Sequence, residues 1–187
     1  MQKVTNAIEQ VKFILAQVLP TAHTIVDATA GNGNDTLFLA ERMSKDARLY
    51  AFDIQPAAIA ATRQRTAVYA EQITYLLDSH ENIKQAVPGK IDAAIFNLGY
   101  LPGGNHQVTT VAETTLSAVE ATLQKLSCNG LLALVVYPGH PAGREEKVRL
   151  ETYLTTLPVG EFTVGCYRMV NHAEDAPFSY LIEKVRG

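Results

Sequence analysis

Cysteine is scarce in this sequence, and two other common features are missing from it. Two cysteines in 187 residues, Cys128 and Cys166, are too few for a disulfide framework or a four-cysteine zinc site. We interpret them as buried thiols of a protein in the reducing cytoplasm. No run of about 18 apolar residues occurs, so a membrane-spanning helix is not expected. The N-terminal segment also lacks the apolar stretch of a secretory signal.

An excess of basic residues is missing as well. Sixteen Lys and Arg stand against nineteen Asp and Glu, which gives a net charge of −3. Because basic side chains supply most of the non-specific affinity for phosphates, any nucleic-acid contact must be local and shape-dependent. The chain contains no GxxxxGK[ST] phosphate loop, no GxSxG nucleophile turn and no HxH or HExxH spacing. We therefore predict no metal site.

What the sequence does contain is an alternation of short apolar runs with helical patterns. One helical stripe covers residues 3–18. Strand-like runs lie at residues 24–28, 48–53, 73–77, 91–97, 130–137, 161–167 and 178–184, and helical patterns at residues 35–44, 56–70, 80–86, 108–126 and 143–156. This order predicts an α/β domain over residues 1–187, with a mostly parallel sheet covered by helices on both faces. The last two runs should form an antiparallel edge hairpin, and residues 1–19 a helix packed on the domain.

A glycine loop follows the first strand-like run and opens a helical pattern. Gly31 and Gly33 permit a tight turn, and the helix start presents free N–H groups to a ligand. Thr36 stands where a dinucleotide loop has its third glycine, which favours a ligand without a pyrophosphate, such as S-adenosylmethionine. Asp27 ends the strand and can accept from the methionine ammonium or from ordered water, or simply cap the turn.

Polar residues also follow the second and third runs. Asp53 lies 22 residues after Gly31, where an acid can accept both ribose hydroxyls of an adenosine, in a nicotinamide cofactor as well as in S-adenosylmethionine. Asp78 can accept from the adenine amino group, and Ser79 is a good cap for the next helix. Because open α/β sheets bind ligands at the carboxyl ends of their strands, these positions predict a nucleoside cofactor.

The loops after the fourth and fifth runs are candidates for the substrate side of the site. Asn97 and Tyr100 partly match the Asn-Pro-Pro-Tyr loop of amine-directed methyltransferases, with Leu and Gly in place of the prolines. Tyr137 can stack on a planar substrate, and His106 or His140 can take a proton from an amine. For each of these side chains an ordinary loop role is the alternative.

Four segments together resemble one bacterial family, the YtqB-type rRNA methylases. They are Asp-Ala-Thr-Ala-Gly-Asn-Gly-Asn-Asp-Thr at 27–36, Asp-Ser-His-Glu at 78–81, Asn-Leu-Gly-Tyr-Leu-Pro-Gly-Gly at 97–104 and Tyr-Pro-Gly-His-Pro at 137–141. The resemblance implies a class I S-adenosylmethionine-dependent fold with strand order 3-2-1-4-5-7-6. It also implies N-methylation of the 5-aminomethyl group of wobble 5-aminomethyl-(2-thio)uridine in the tRNA anticodon stem-loop.

Carried onto this sequence, the resemblance implies seven cofactor contacts: Asn32, Asn34, Asp35, Asp53, Gln55, Ser79 and His80. Arg144, Lys147 and Arg149 can meet phosphates or form a solvated helix face. A homodimer stays open. The alternatives are a small-molecule N- or O-methyltransferase on the same fold, a nicotinamide oxidoreductase, and a non-catalytic RNA-binding module that has kept the cofactor fold.

Overall fold

A computed structural model describes residues 4–99 and 109–186 of the chain. The strands are β1 Thr24–Asp27, β2 Arg48–Asp53, β3 Ile73–Leu77, β4 Ile91–Asn97, β5 Leu126–Val136, β6 Phe162–Tyr167 and β7 Phe178–Lys184. The α-helices are α1 Ala7–Val18, α2 Asn34–Ala40, α3 Pro56–Arg65, α4 Ile83–Ala86, α5 Ala112–Lys125 and α6 Pro141–Leu154. Short 3-10 turns cover Leu19–Thr21, Ala67–Gln72 and His80–Asn82.

The seven strands form one sheet in the order β3-β2-β1-β4-β5-β7-β6. β3, β2, β1, β4 and β5 pair in parallel, whereas β7 runs antiparallel to both β5 and β6. This order confirms the strand order and edge hairpin expected from the sequence. All parallel strands therefore end at one edge, where Asp27, Asp53, Leu77, Asn97 and Val136 are the last residues.

Hydrophobic layers cover both faces of the sheet because successive strand residues point to opposite sides. In β4, Ala94 and Phe96 pack with residues of α4, α5 and α6, whereas Ala93 and Ile95 pack with residues of α1 and α2. Burial on both faces explains why these strands read as continuous apolar runs. The N-terminal helix α1 packs against β5 and β7.

The structure corrects the predicted start of β5 and the predicted burial of the two cysteines, and it ends α3 at Arg65, before residue 70. β5 begins at Leu126, directly after α5, and not at residue 130. Its first residues pair irregularly with β4, and Asn129 has a left-handed φ of 63°. This irregular start lacks the sequence pattern from which a regular strand is predicted. Cys128 and Cys166 are exposed free thiols, because they lie on the irregular start of β5 and on the edge strand β6.

Candidate active site

The glycine loop connects β1 to α2 and is shaped by backbone conformations that favour glycine. Gly31 has a φ of 54° and Gly33 a φ of 78°. A Cβ atom on Gly33 would lie 2.8 Å from the Cα of Thr62, so α3 approaches the loop too closely for a side chain there. Gly33 is thus required by the close approach of α3 as well as by the tight turn that the sequence predicts.

Asp27 and Thr36 form a buried hydrogen bond beneath this loop. The Thr36 hydroxyl donates to Asp27 Oδ2 at 2.6 Å, and the Thr29 N–H donates to Oδ1 at 3.1 Å. Both side chains are fully buried, and burial together with the neighbouring Asp35 raises the pKa of Asp27 to about 7. The two side chains thus hold the glycine loop on the strand, and their predicted cofactor contacts stay predictions.

Asp53 joins the glycine loop to the start of α3. Its Oδ2 accepts from the Gly31 N–H and its Oδ1 from the Gln55 N–H, both at 2.9 Å. The carboxylate stays partly exposed at the sheet edge, so its lone pairs remain accessible for hydroxyl donors. The ribose contact of Asp53 and the contact of Gln55 stay predictions.

Two exposed apolar side chains lie next to Asp53, and the sequence did not identify them as site residues. Ile54 is 58% exposed and follows Asp53, and Leu77 is 57% exposed and pairs in register with it. Both side chains are available for contact with an apolar part of a ligand bound at this edge. The only sequence signal was their position directly after, or opposite, the acid that ends β2.

Asp78 and Ser79 shape the turn after β3. Asp78 Oδ1 accepts from the Ser79 N–H and from the Asn82 side-chain amide, both at 2.8 Å. Ser79 Oγ accepts from the Glu81 N–H at 3.3 Å and so caps the following turn, as its residue type predicts. Contacts of Asp78 and Ser79 with a cofactor remain predictions.

His80 offers an acceptor to the site. Its Nδ1 lies 3.1 Å from the Ala28 carbonyl oxygen, and because a carbonyl can only accept, Nδ1 carries the proton. Burial lowers the pKa of His80, which keeps the ring neutral. The buried Nε2 therefore has a free lone pair, and it finds no hydrogen-bond partner within residues 4–99 and 109–186.

Asn97, Asp35 and Lys12 form a chain of contacts beside the glycine loop. The Asn97 backbone N–H donates to Thr29 Oγ1 at 2.7 Å, and its side-chain Nδ2 donates to Asp35 Oδ2 at 2.8 Å. Asp35 Oδ1 lies 3.0 Å from the Lys12 ammonium. Asn97 Oδ1 is buried and has no hydrogen-bond partner in the described part of the chain. The sequence did not point to Lys12, because the apolar pattern of α1 does not show which residue outside the helix its lysine side chain contacts.

The residues after β5 stand on the same edge. Burial and the charge of Asp35 raise the pKa of Tyr137 to about 12, although the Asn97 amide partly offsets this. Tyr137 is therefore neutral at physiological pH and cannot act as a base. His140 caps α6, where its Nδ1 accepts from the Gly143 N–H at 3.2 Å. Its role as a base stays a prediction.

Tyr100 and His106 lie outside the residues that the structure describes.

Asn32 and Asn34 line a cavity of about 440 Å³ beside Ala61, Gln64 and Arg65, and the Asn32 carbonyl accepts from Arg65 Nε at 2.7 Å. Their predicted cofactor contacts are not tested by this geometry.

The three cations of α6 differ in their surroundings. Arg149 pairs with Glu145 at 2.8 Å, Lys147 lies 5.9 Å from the Phe178 ring centre, and Arg144 is exposed. Among the described residues, no group of three or more His, Cys, Asp or Glu side chains is arranged to hold a metal ion. No helix in that same part of the chain is long and apolar enough to cross a membrane.

Comparisons with known proteins agree with this architecture. Residues 49–183 match the family described as "Putative rRNA methylase". A crystal structure of a "putative rRNA-methylase" from Clostridium thermocellum superposes with a TM-score of 0.94 at 34% identity, covering 98% of this chain and 100% of that one. A "putative methyltransferase" from Streptococcus mutans, solved in complex with S-adenosylhomocysteine, gives a TM-score of 0.88 at 38% identity, with 97% and 99% covered.

A plant protein is also similar over most of the chain. The chloroplastic tRNA (mnm(5)s(2)U34)-methyltransferase of Arabidopsis thaliana is 37% identical over 178 residues, which cover 89% of this chain. The chain spans 65% of that relative's length. From the family match, the strand order and the superposed structures, we conclude that the chain belongs to this rRNA methylase family and has the class I S-adenosylmethionine-dependent methyltransferase fold.

Proposed function

We propose that this chain is an S-adenosylmethionine-dependent tRNA methyltransferase. It N-methylates the 5-aminomethyl group of wobble 5-aminomethyl-(2-thio)uridine and so produces 5-methylaminomethyl-(2-thio)uridine. The observation that carries the proposal is the buried, unpartnered carbonyl oxygen of Asn97, which lies at the cofactor edge and is aimed by Asp35. An oxygen in that position accepts an N–H, which an amine substrate supplies and a carboxylate substrate does not.

The residues at the sheet edge fit an adenosine cofactor. We propose that the partly exposed Asp53 carboxylate accepts the ribose hydroxyls and that the exposed side chains of Ile54 and Leu77 contact the base. His80 Nε2 adds a buried acceptor whose partner is missing among the described residues. S-adenosylmethionine, when bound, supplies an electrophilic methyl group on its sulfonium sulfur. The Streptococcus mutans relative with S-adenosylhomocysteine supports this choice of cofactor.

The target amine has to be neutral before it can accept a methyl group. An alkyl ammonium such as that of lysine has an ordinary pKa near 10.4, and its nitrogen has no lone pair. Transfer into a site with little water favours the uncharged amine. Asn97 Oδ1 then accepts one N–H and sets the direction of the lone pair, which is the geometric contribution that an enzyme makes to such a transfer.

A wobble base suits a chain without an excess of basic residues. The anticodon loop presents unpaired bases, so little nucleic-acid structure has to be opened and few phosphates have to be held. We propose that Arg144, Lys147 and Arg149 supply those phosphate contacts, and that Tyr137 stacks on the uracil, a contact of roughly 1–3 kcal/mol. Tyr100, His106 and His140 stay proposed substrate-side residues.

The name of the family points to rRNA, whereas the name of the Arabidopsis relative points to tRNA. The identity of 37% over 89% of this chain supports tRNA. The deciding experiment incubates the protein and S-adenosylmethionine with three RNAs: tRNA carrying 5-aminomethyl-2-thiouridine, the same tRNA without that modification, and ribosomal RNA. Nucleoside mass spectrometry should show one added methyl group in the first RNA alone.

Two other outcomes of that experiment have a clear meaning. Methylation of rRNA but not of the modified tRNA would overturn the proposed substrate. Methylation of free small amines or carboxylates with no transfer to any RNA would support the small-molecule alternative on the same fold.

We also propose that a single domain carries this activity in the cytoplasm. The full-length superposition with the Clostridium thermocellum structure supports the single domain, and the two exposed free thiols fit a reducing compartment. A homodimer stays a prediction, which light scattering tests through the molar mass in solution.

A further inference from the structure

Lys12 belongs to the N-terminal helix, yet its ammonium reaches the edge of the sheet. Its Nζ lies 3.0 Å from Asp35 Oδ1, and the side chain is only 20% exposed. The same Nζ lies 5.5 Å from the centre of the Phe38 ring, which supports the lysine in this direction. Val11 and Leu15 are fully buried and fix the helix on the sheet. The packing of α1 on the sheet therefore places Lys12 beside Asp35.

The ion pair acts on Asn97 through the second oxygen of the same carboxylate. Asp35 Oδ2 accepts from Asn97 Nδ2 at 2.8 Å. Because a carboxylate can only accept, the amide must turn its NH₂ group towards Asp35 and its oxygen away from it. That oxygen is the buried acceptor for which the described part of the chain offers no partner. Loss of the lysine would leave Asp35, whose side chain is 8% exposed, without its ion-pair partner.

We propose that Lys12 is a positioning residue for methyl transfer, acting through Asp35 on Asn97. This inference rests on the proposed function, because the proposed function makes the substrate amine the hydrogen-bond donor to Asn97 Oδ1. Lys12 holds the Asp35 carboxylate in one place, and Asp35 holds the amide in one orientation. Helix α1 thereby contributes to the reaction as well as to the core.

A second consequence concerns charge. Among residues 4–99 and 109–186, the groups facing Asp35 are Lys12 from α1, Asp27 at the end of β1, Tyr137 after β5 and the neutral amide of Asn97. An unpaired Asp35 would attract a protonated amine and so favour the unreactive ammonium form. With Lys12 in place that attraction is offset. Removal of the lysine charge should therefore move the acid limb of the rate profile to higher pH.

The test compares Lys12→Met with Lys12→Arg and with the control Gln17→Met. Gln17 is exposed on the same helix, and the structure gives it no role at the site. Turnover of tRNA carrying 5-aminomethyl-2-thiouridine is measured against pH, and the affinity for S-adenosylhomocysteine is measured by calorimetry. Thermal unfolding checks each variant, and Lys12→Gln replaces Lys12→Met if the latter does not fold.

We expect Lys12→Met to lower kcat about 10-fold to 100-fold, the size of effect that misplacement of a reacting group produces. KM for tRNA and the affinity for S-adenosylhomocysteine should change by less than about threefold. The acid limb of the kcat profile should move upward by up to about one pH unit in Lys12→Met and stay in place in Lys12→Arg and Gln17→Met.

Three results would overturn the inference while the wild-type protein is active. The first is an unchanged kcat in Lys12→Met. The second is a loss of kcat in that variant matched by an equal loss of affinity for S-adenosylhomocysteine. The third is an acid limb of the kcat profile that lies at the same pH in Lys12→Met as in the wild type. An inactive wild-type protein would instead overturn the proposed function itself, and the Lys12 inference with it. The two failures are thus read from different samples.

Discussion

Burial of Asp27 makes the stability of the fold depend on pH. Its pKa is raised from the usual 3.8 to about 7, first by burial and then by the neighbouring Asp35. Between these two values the folded protein keeps a proton that the unfolded chain has lost. The contribution of this group to stability is therefore fully present below about pH 4 and is lost as the pH rises towards 7. Each unit of difference between the pKa values of the folded and unfolded protein is worth about 1.4 kcal/mol, so the free energy of unfolding falls by roughly 4 kcal/mol over this range.

The substitution Asp27→Asn removes this titration at nearly constant volume. We expect the unfolding free energy of the wild-type protein, relative to Asp27→Asn, to fall by roughly 4 kcal/mol between pH 4 and pH 7 and then to level off. Urea unfolding at a series of pH values measures this difference, because other titrating groups are common to both proteins. Asp46→Asn, at an exposed position, should run parallel to the wild type. A constant difference between wild type and Asp27→Asn would refute the buried protonated carboxyl.

Three further predictions concern the loop and the site. Asp53→Ala should weaken S-adenosylhomocysteine binding by about 10-fold to 100-fold, the worth of hydrogen bonds to a charged group, and calorimetry showing unchanged affinity would remove Asp53 from the site. Gly33→Ala should lower the unfolding free energy by about 1–3 kcal/mol, because the new Cβ meets Thr62 at a left-handed φ; equal urea midpoints would contradict this. Asn97→Ala should lower kcat at least about 10-fold with cofactor affinity nearly kept, and full turnover would make the aimed amide a bystander.

Much of the sheet could be predicted from the sequence, because its strands are buried on both faces. The bounds of β2, β3, β4 and β7 coincide with the predicted runs. β5 was placed too late, because its irregular pairing near Asn129 breaks the alternation on which such a prediction depends. Predicted α3 also runs too far, since the chain tightens into a 3-10 turn at Ala67–Gln72.

The site was only partly predictable for a different reason. A sequence shows that acids end neighbouring strands, but it does not show how deeply each acid is buried. Both acids accept hydrogen bonds within the protein, yet Asp27 is fully buried whereas Asp53 stays partly exposed. Lys12 reaches Asp35 through a contact between residues far apart in the chain, and no local pattern encodes such a contact.

The destination of the methyl group on tRNA tests the proposed function most directly. The protein is given S-adenosylmethionine with a deuterated methyl group and tRNA that carries 5-aminomethyl-2-thiouridine at the wobble position. Fragmentation of the isolated nucleoside in the mass spectrometer then locates the label. We expect one labelled methyl group on the nitrogen of the 5-aminomethyl side chain. A label on the ring, on the ribose or on any other nucleoside, or no label at all, would contradict it.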